Sequence, residues 1–134
     1  MTDAQTIANR FMEALNERDF AAMTGLLDDD VTLDTLTGQR TVGLEPLRMN
    51  VMSYFRHFDE TFGDMVLMND AFGQRVAVDT VARGAYRESL TGLPVANGQT
   101  YSIPCLFVFE IESRSIVRLS HYRNIRVFEK LLQR

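Results

Sequence analysis

The chain has 134 residues, 46% of them apolar and 24% charged, with a net charge of -4, which fits one globular domain able to bury a real core. That balance leaves no basic footprint for nucleic acid. No apolar stretch is long enough for a bilayer, and the N-terminus MTDAQTIANR lacks a basic-then-apolar leader pattern, so a cytoplasmic protein without membrane contact is expected.

Cys105 is the single cysteine, which excludes an internal disulfide and a cysteine-built zinc cluster. Within IPCLFVF it reads as a buried, inert thiol.

Ile7, Phe11 and Leu15 recur every four residues and predict a first helix, with Thr2 and Gln5 placed as a capping box. Asn16 to Asp19 breaks that pattern, and Asp19 can cap a short second helix carrying Phe20, Met23, Leu26 and Leu27. The acidic run at 28–30 reads as a solvated turn. Val31 to Thr35 alternates as a first strand would, and 37–43 reads as a loop. Pro46 suits the first turn of a third helix, with Leu47, Val51, Tyr54, Phe55 and Phe58 on one wide apolar face. Beyond Phe62 the period becomes two, with strands expected near 64–69, 75–88, 99–112 and 116–125 and a closing helical turn at 127–132.

Helices placed ahead of a meander of strands predict an α+β fold, a curved, mainly antiparallel sheet wrapped on the N-terminal helices. Tyr101, Ile103, Cys105, Phe107, Phe109 and Ile111 share the face that should meet the helices. Leu106 and Val108 share the other, with Val81 and Ala85 beside them and Arg83, Arg87 and Glu110 around. An apolar patch rimmed by charge in this way predicts a homodimer through the outer sheet face.

In IVRLSHYRNI the same alternation puts Val117, Leu119, His121 and Arg123 on one face. An inward histidine is either a packed core residue or the acid/base of a cavity, and the residues alone leave both open. His57, in YFRHF, reads as a helix-surface or pocket-rim residue. Two histidines without a carboxylate or cysteine at ligand spacing predict no metal site, and nothing in the chain calls for a cofactor.

FMEALNERDFAAMTGLLDDDVTL, GLEPLRMNVMSYF and SIVRLSHYRNIRVFEKLL resemble the nuclear transport factor 2-like superfamily over nearly the whole chain. Within it the chain is similar to SnoaL-like polyketide cyclases, ketosteroid isomerases and limonene-epoxide hydrolases. The resemblance implies a cone with a deep apolar pocket, commonly dimeric. The isomerases' catalytic positions match Phe11, Thr35 and Cys105 here, which cannot do that work. The epoxide hydrolases' positions match Thr80, Ala82, His121, Leu33 and Thr35, which lack their charged set. SnoaL-like cyclases keep an acid/base aspartate in the last strand, and His121 falls at that position. An imidazole there can take and return a proton near neutral pH.

The expectation is therefore cofactor-independent proton transfer on a hydrophobic carbonyl compound of polyketide, terpenoid or steroid type, with His121 as acid/base. A non-catalytic hydrophobic-ligand or association domain is the alternative, and limonene-type epoxide hydrolysis a third. Tyr54, Thr35 or Thr80 would orient a substrate oxygen, although Tyr54 can equally be a buried aromatic with an incidental hydrogen bond. Arg123 would bind a substrate carboxylate or pair with a local acid. Tyr86 would narrow the pocket or pack on a helix. Cys105, Phe107, Phe109 and Leu119 would line the wall, with Met49, Met52, Met65 and Met68 shaping it.

Overall fold

The structure is a computed structural model that describes residues 1–133. Helix α1 (Asp3–Glu17) begins at the Thr2–Gln5 capping box and buries Ile7, Phe11, Met12 and Leu15; α2 (Phe20–Thr24) follows, capped by the Asp19 carboxylate. Strands β1 (Leu27–Asp34) and β2 (Arg40–Val42) come next, then α3 (Leu44–His57), β3 (Phe58–Asn69), β4 (Arg75–Tyr86), β5 (Thr100–Glu112), β6 (Ser115–Tyr122) and α4 (Ile125–Leu132). The six strands form one open sheet in the order β2-β1-β6-β5-β4-β3. It is mixed: β1 runs parallel to β6, and every other pairing is antiparallel. The fold is thus α+β as expected, with helices filling the concave side of the sheet.

Residues 28–30, expected as a solvated turn, lie inside β1, and Leu26 and Leu27 lie past the end of α2 rather than on it, because β1 already pairs with β6 at Leu27. Two further differences concern the sheet edge and the site. Residues 40–42, expected as loop, pair with β1 as a short edge strand. Phe58, expected on the third helix, instead opens β3: it already has extended dihedrals (φ -124°, ψ 109°), so the chain passes from helix to strand with no loop between. This moves the start of the strand back six residues from the expected 64, and Phe58, Glu60 and Phe62 all point inward.

The C-terminal end of α1 fixes that stretch of β3. Asn16 clamps the Phe62 backbone from both sides, its Nδ2 donating to the carbonyl at 2.9 Å and its Oδ1 accepting from the N–H at 2.8 Å. Arg18 stacks over the Phe55 ring and donates from Nη2 to the Glu60 carbonyl at 2.6 Å. Across the sheet, Gly84 has no room for a side chain, since a Cβ there would stand 2.7 Å from both the Asp59 carbonyl oxygen and the Tyr101 hydroxyl. Strand β3 is therefore held at one depth from two sides, which sets where its single buried acid sits.

On the outer face, Val66, Met68 and Tyr122 are exposed and Leu106, Val108 and Val81 are half-buried, whereas Ala85 is buried. Beside this patch a ladder of alternating charge, Arg40–Asp34–Arg118–Glu110–Arg75, crosses five strands.

Candidate active site

Glu60 is fully buried between the sheet and α3. Its Oε1 accepts from the Tyr101 hydroxyl at 2.6 Å, the Tyr54 hydroxyl at 2.8 Å and Arg123 Nη1 at 3.0 Å; its Oε2 accepts from Arg123 Nη2 at 2.9 Å. Four acceptor bonds and no donated one use a carboxylate's full capacity. The Arg123 side chain is buried as completely as its partner. A bidentate pair removed from water persists only when nearly every lone pair and proton is satisfied, and here one position, Arg123 Nε, has no partner. Burial, and then the Glu60 charge, push both tyrosine hydroxyls well above the usual phenol range. They are fixed donors, not acids.

The chain of bonds continues to the pocket. Arg123 Nη2 lies 3.0 Å from His121 Nε2. A guanidinium only donates, so Nε2 must accept and the ring carries its hydrogen on Nδ1. Burial first, and the Arg123 charge second, hold His121 well below the ordinary histidine range, so the ring is neutral at physiological pH. Phe107, its partner across the β5–β6 ladder, stacks on it at 4.2 Å, and Phe62 and Tyr54 meet it edge-on at 6.4 Å. The ring is fixed in position, tautomer and charge. No protein group among the described residues bonds its Nδ1.

His121 lines a cavity of about 500 Å³, within the usual range for small-molecule sites. Leu33, Val51, Phe55, Phe62, Phe107 and Leu119 make most of its wall apolar, and Ile125, Phe128 and Glu129 of α4 close one side. Val51, Tyr54 and Phe55 of α3 are only half-buried because one flank of each faces this space.

Of the residues expected from sequence, the structure brings His121, Tyr54, Thr35, Phe107 and Leu119 onto one cavity. Thr35 bonds its neighbours Thr37 and Gln39, and Tyr54 directs its hydroxyl hydrogen bond to Glu60 rather than to the cavity. Thr80, Tyr86, Cys105 and Arg123 do not line it. The Thr80 hydroxyl donates to the Gly63 carbonyl at 2.6 Å. Tyr86 stacks on Phe58 at 5.1 Å while its hydroxyl donates to the Pro94 carbonyl and accepts from the Leu90 N–H. Cys105 borders a separate open depression with Leu106 and Tyr122. Arg123 takes the second of its two expected roles, pairing with a local acid. Phe109 packs deeper, against Phe11 at 5.3 Å, and Met49, Met52 and Met68 lie exposed outside the cavity, with Met65 also off its wall. Among the described residues no group of three or more His, Cys, Asp or Glu side chains is placed to hold a metal ion, and no helix is long and apolar enough to cross a membrane.

One site residue is absent from the sequence expectation, and another sits deeper than expected. Glu60 lies ahead of the strand start expected near 64; the alternation Phe58-Glu60-Phe62 is the signal that finds it. His57, expected at a helix surface or rim, is only 7% exposed and lines the cavity.

A curved, unclosed sheet wrapped on N-terminal helices, with a mostly apolar cavity between them, defines the nuclear transport factor 2-like class. Within that class the chain belongs to the SnoaL-like domain family, whose sequence profile matches residues 8–119. A candidate polyketide cyclase from Xanthomonas campestris pv. campestris is 29% identical, with a TM-score of 0.94, over 98% of this chain and 97% of that one. Another candidate polyketide cyclase, from Pseudomonas putida KT2440, is 32% identical with a TM-score of 0.92 over 98% of each chain. An epoxide hydrolase of limonene-epoxide-hydrolase type from M. tuberculosis shares the fold at 17% identity, with a TM-score of 0.74 over 97% of this chain and 89% of that one. No curated protein matches the chain.

Proposed function

We propose that this SnoaL-like domain is a cofactor-independent enzyme that moves a proton on a hydrophobic carbonyl compound of polyketide, terpenoid or steroid type, leading to cyclisation, isomerisation or dehydration. One observation carries the reading: a buried Glu60–Arg123 pair commits His121 Nε2 as an acceptor and leaves Nδ1–H without a protein partner among the described residues, on a ring that lines the cavity. A neutral, fixed N–H in an apolar space is suited to holding a carbonyl oxygen as negative charge develops on it. Preorganised donors of this kind contribute about 2.7–4 kcal/mol to oxyanion stabilisation. The role differs from free acid/base exchange, because Nε2 is occupied and the ring resists a second proton. His121 acts first as the electrophile. A second copy of the chain docking on the outer sheet face, where Val66, Met68, Leu106 and Tyr122 cluster, completes the proposal.

The test uses 2-acetylnaphthalene as a carbonyl probe. Its C=O stretch moves to lower frequency on binding the native protein, and His121→Phe abolishes that move while binding persists. An unchanged stretch in the native protein contradicts the reading. The alternative, a binding domain without catalysis, draws support from the internal neutralisation of Glu60 by Arg123, which leaves neither charge for a ligand; it predicts that His121→Phe leaves both affinity and stretch unaltered.

A further inference from the structure

The cavity has a second imidazole with the opposite polarity. His57 is the last residue of α3, and its Nδ1 lies 2.8 Å from the Glu88 carbonyl oxygen. That oxygen can only accept, so Nδ1 carries a hydrogen. The His57 carbonyl in turn accepts from the Arg87 N–H at 2.8 Å and the Glu88 N–H at 3.4 Å. Ring and backbone are thus both fastened to the segment leaving β4. The remaining nitrogen, Nε2, holds a lone pair in the neutral ring and receives no hydrogen bond from the described residues. His57 is buried to 7% exposure, yet it lines the same cavity as His121.

Fixed in this way, the two rings are complementary. His121 offers an N–H with its lone pair spent on Arg123; His57 offers a lone pair with its N–H spent on Glu88. They are not in contact. Tyr54 lies 6.4 Å from His121, Phe58 lies 4.9 Å from Tyr54, and His57 lies 6.5 Å from Phe58, all between ring centres. No hydrogen bond links the two rings among the described residues, and the cavity they share is where a bound molecule would join them.

We infer that His57 Nε2 is the base of this site and that the substrate is an enolisable carbonyl compound bridging the two histidines. The inference rests on the proposed role of His121. With the carbonyl oxygen on His121 Nδ1–H, His57 Nε2 takes a proton from an activated C–H bond. The C–H electron pair becomes the enolate C=C bond, and the C=O π pair moves onto the oxygen that His121 holds. Returning the proton from the His57 imidazolium to another carbon completes an isomerisation. Attack of the enolate carbon on a second carbonyl of the same molecule, with the proton passed to the new alkoxide, completes a cyclisation. Neither route needs an oxidant, reductant or cofactor.

The test needs no natural substrate. In 5-nitrobenzisoxazole a base removes the C3 proton, the ring N–O bond breaks, and a cyanophenolate forms; the reaction requires only a base in an apolar site. Native protein should accelerate it over free imidazole at equal concentration. His57→Asn keeps a donor for the Glu88 carbonyl but has no basic nitrogen, and should lose at least tenfold in rate, as positioned proton transfers of ~10²–10⁴-fold allow. His57→Gln should lose as much. Circular dichroism and urea midpoints check that the variants fold. Native-like rates in either folded variant, or no acceleration by the native protein, overturn the inference. Nitrogen-15 spectra of the native protein add a check that needs no variant: neutral His57 should be the Nδ1–H tautomer, and an Nε2–H tautomer overturns it. The two readings fail separately. Loss of the His57 effect with the His121-dependent carbonyl shift intact removes only the base, and the converse removes only the electrophile.

Discussion

Glu60→Gln is the most informative perturbation of the buried network. The substitution keeps the shape and an acceptor oxygen, but it removes the charge and points an amide N–H₂ at groups that only donate to this position. Arg123 Nη2, Tyr54 and Tyr101 then compete for one neutral oxygen, and the guanidinium is left as an unbalanced charge with no exposed surface. Breaking a buried pair from one side costs about 3–5 kcal/mol, against roughly 5–15 kcal/mol of total stability for a domain. At this chain length that corresponds to a fall of roughly 10–20 °C in Tm. Urea unfolding followed by circular dichroism measures the loss directly. Adding Arg123→Met should recover part of it, because the second change removes the stranded charge, with a coupling of about 0.5–3 kcal/mol. A loss below about 1 kcal/mol for Glu60→Gln, or strict additivity in the double variant, would refute the claim that the pair is desolvated and mutually dependent.

Three further outcomes follow from the same geometry. The folded His121 resists a proton that the unfolded chain accepts below about pH 6.5, so stability should fall as pH drops beneath that value, by up to ~1.4 kcal/mol per unit; His121→Gln should show a shallower slope between pH 7 and 5, and equal slopes would contradict the assignment. Burial pushes the Cys105 thiol up to about 11, so a thiol reagent at pH 8 should label it only as fast as the protein opens; immediate labelling of the folded protein would count against this. Leu106→Glu should convert the proposed dimer to monomer in light scattering, and a surviving dimer would place the interface elsewhere.

Much of the scaffold was legible in the chain because its signals are local. The Thr2–Gln5 box, the Asp19 cap and the long alternating runs of β4 and β5 each show within a short window, and all appear in the structure. What stayed hidden had no local mark. No glycine, proline or turn residue separates His57 from Phe58, and Phe58 fits the helical period after Tyr54 as well as it fits the alternation leading to Phe62. The late strand start that resulted concealed Glu60, the acid on which the site's electrostatics depend. The β1–β6 pairing joins segments distant in the chain, and β2 is only three residues long. His121 and Leu119 were readable because strand alternation aims them inward. Whether His121 would be base or donor was not readable, because that is decided by Arg123, two residues on, and by Glu60 of distant β3 behind it.

On this geometry His121 lines the cavity as a neutral ring with its hydrogen on Nδ1. Long-range nitrogen–proton NMR on histidine-labelled protein, recorded from pH 6 to 8 with and without 2-acetylnaphthalene, tests it most directly. The expected result is the neutral Nδ1–H tautomer throughout, with the Nδ1 proton moving downfield when the ketone binds. An Nε2–H tautomer, an imidazolium at pH 6, or an Nδ1 proton indifferent to the ketone would contradict it.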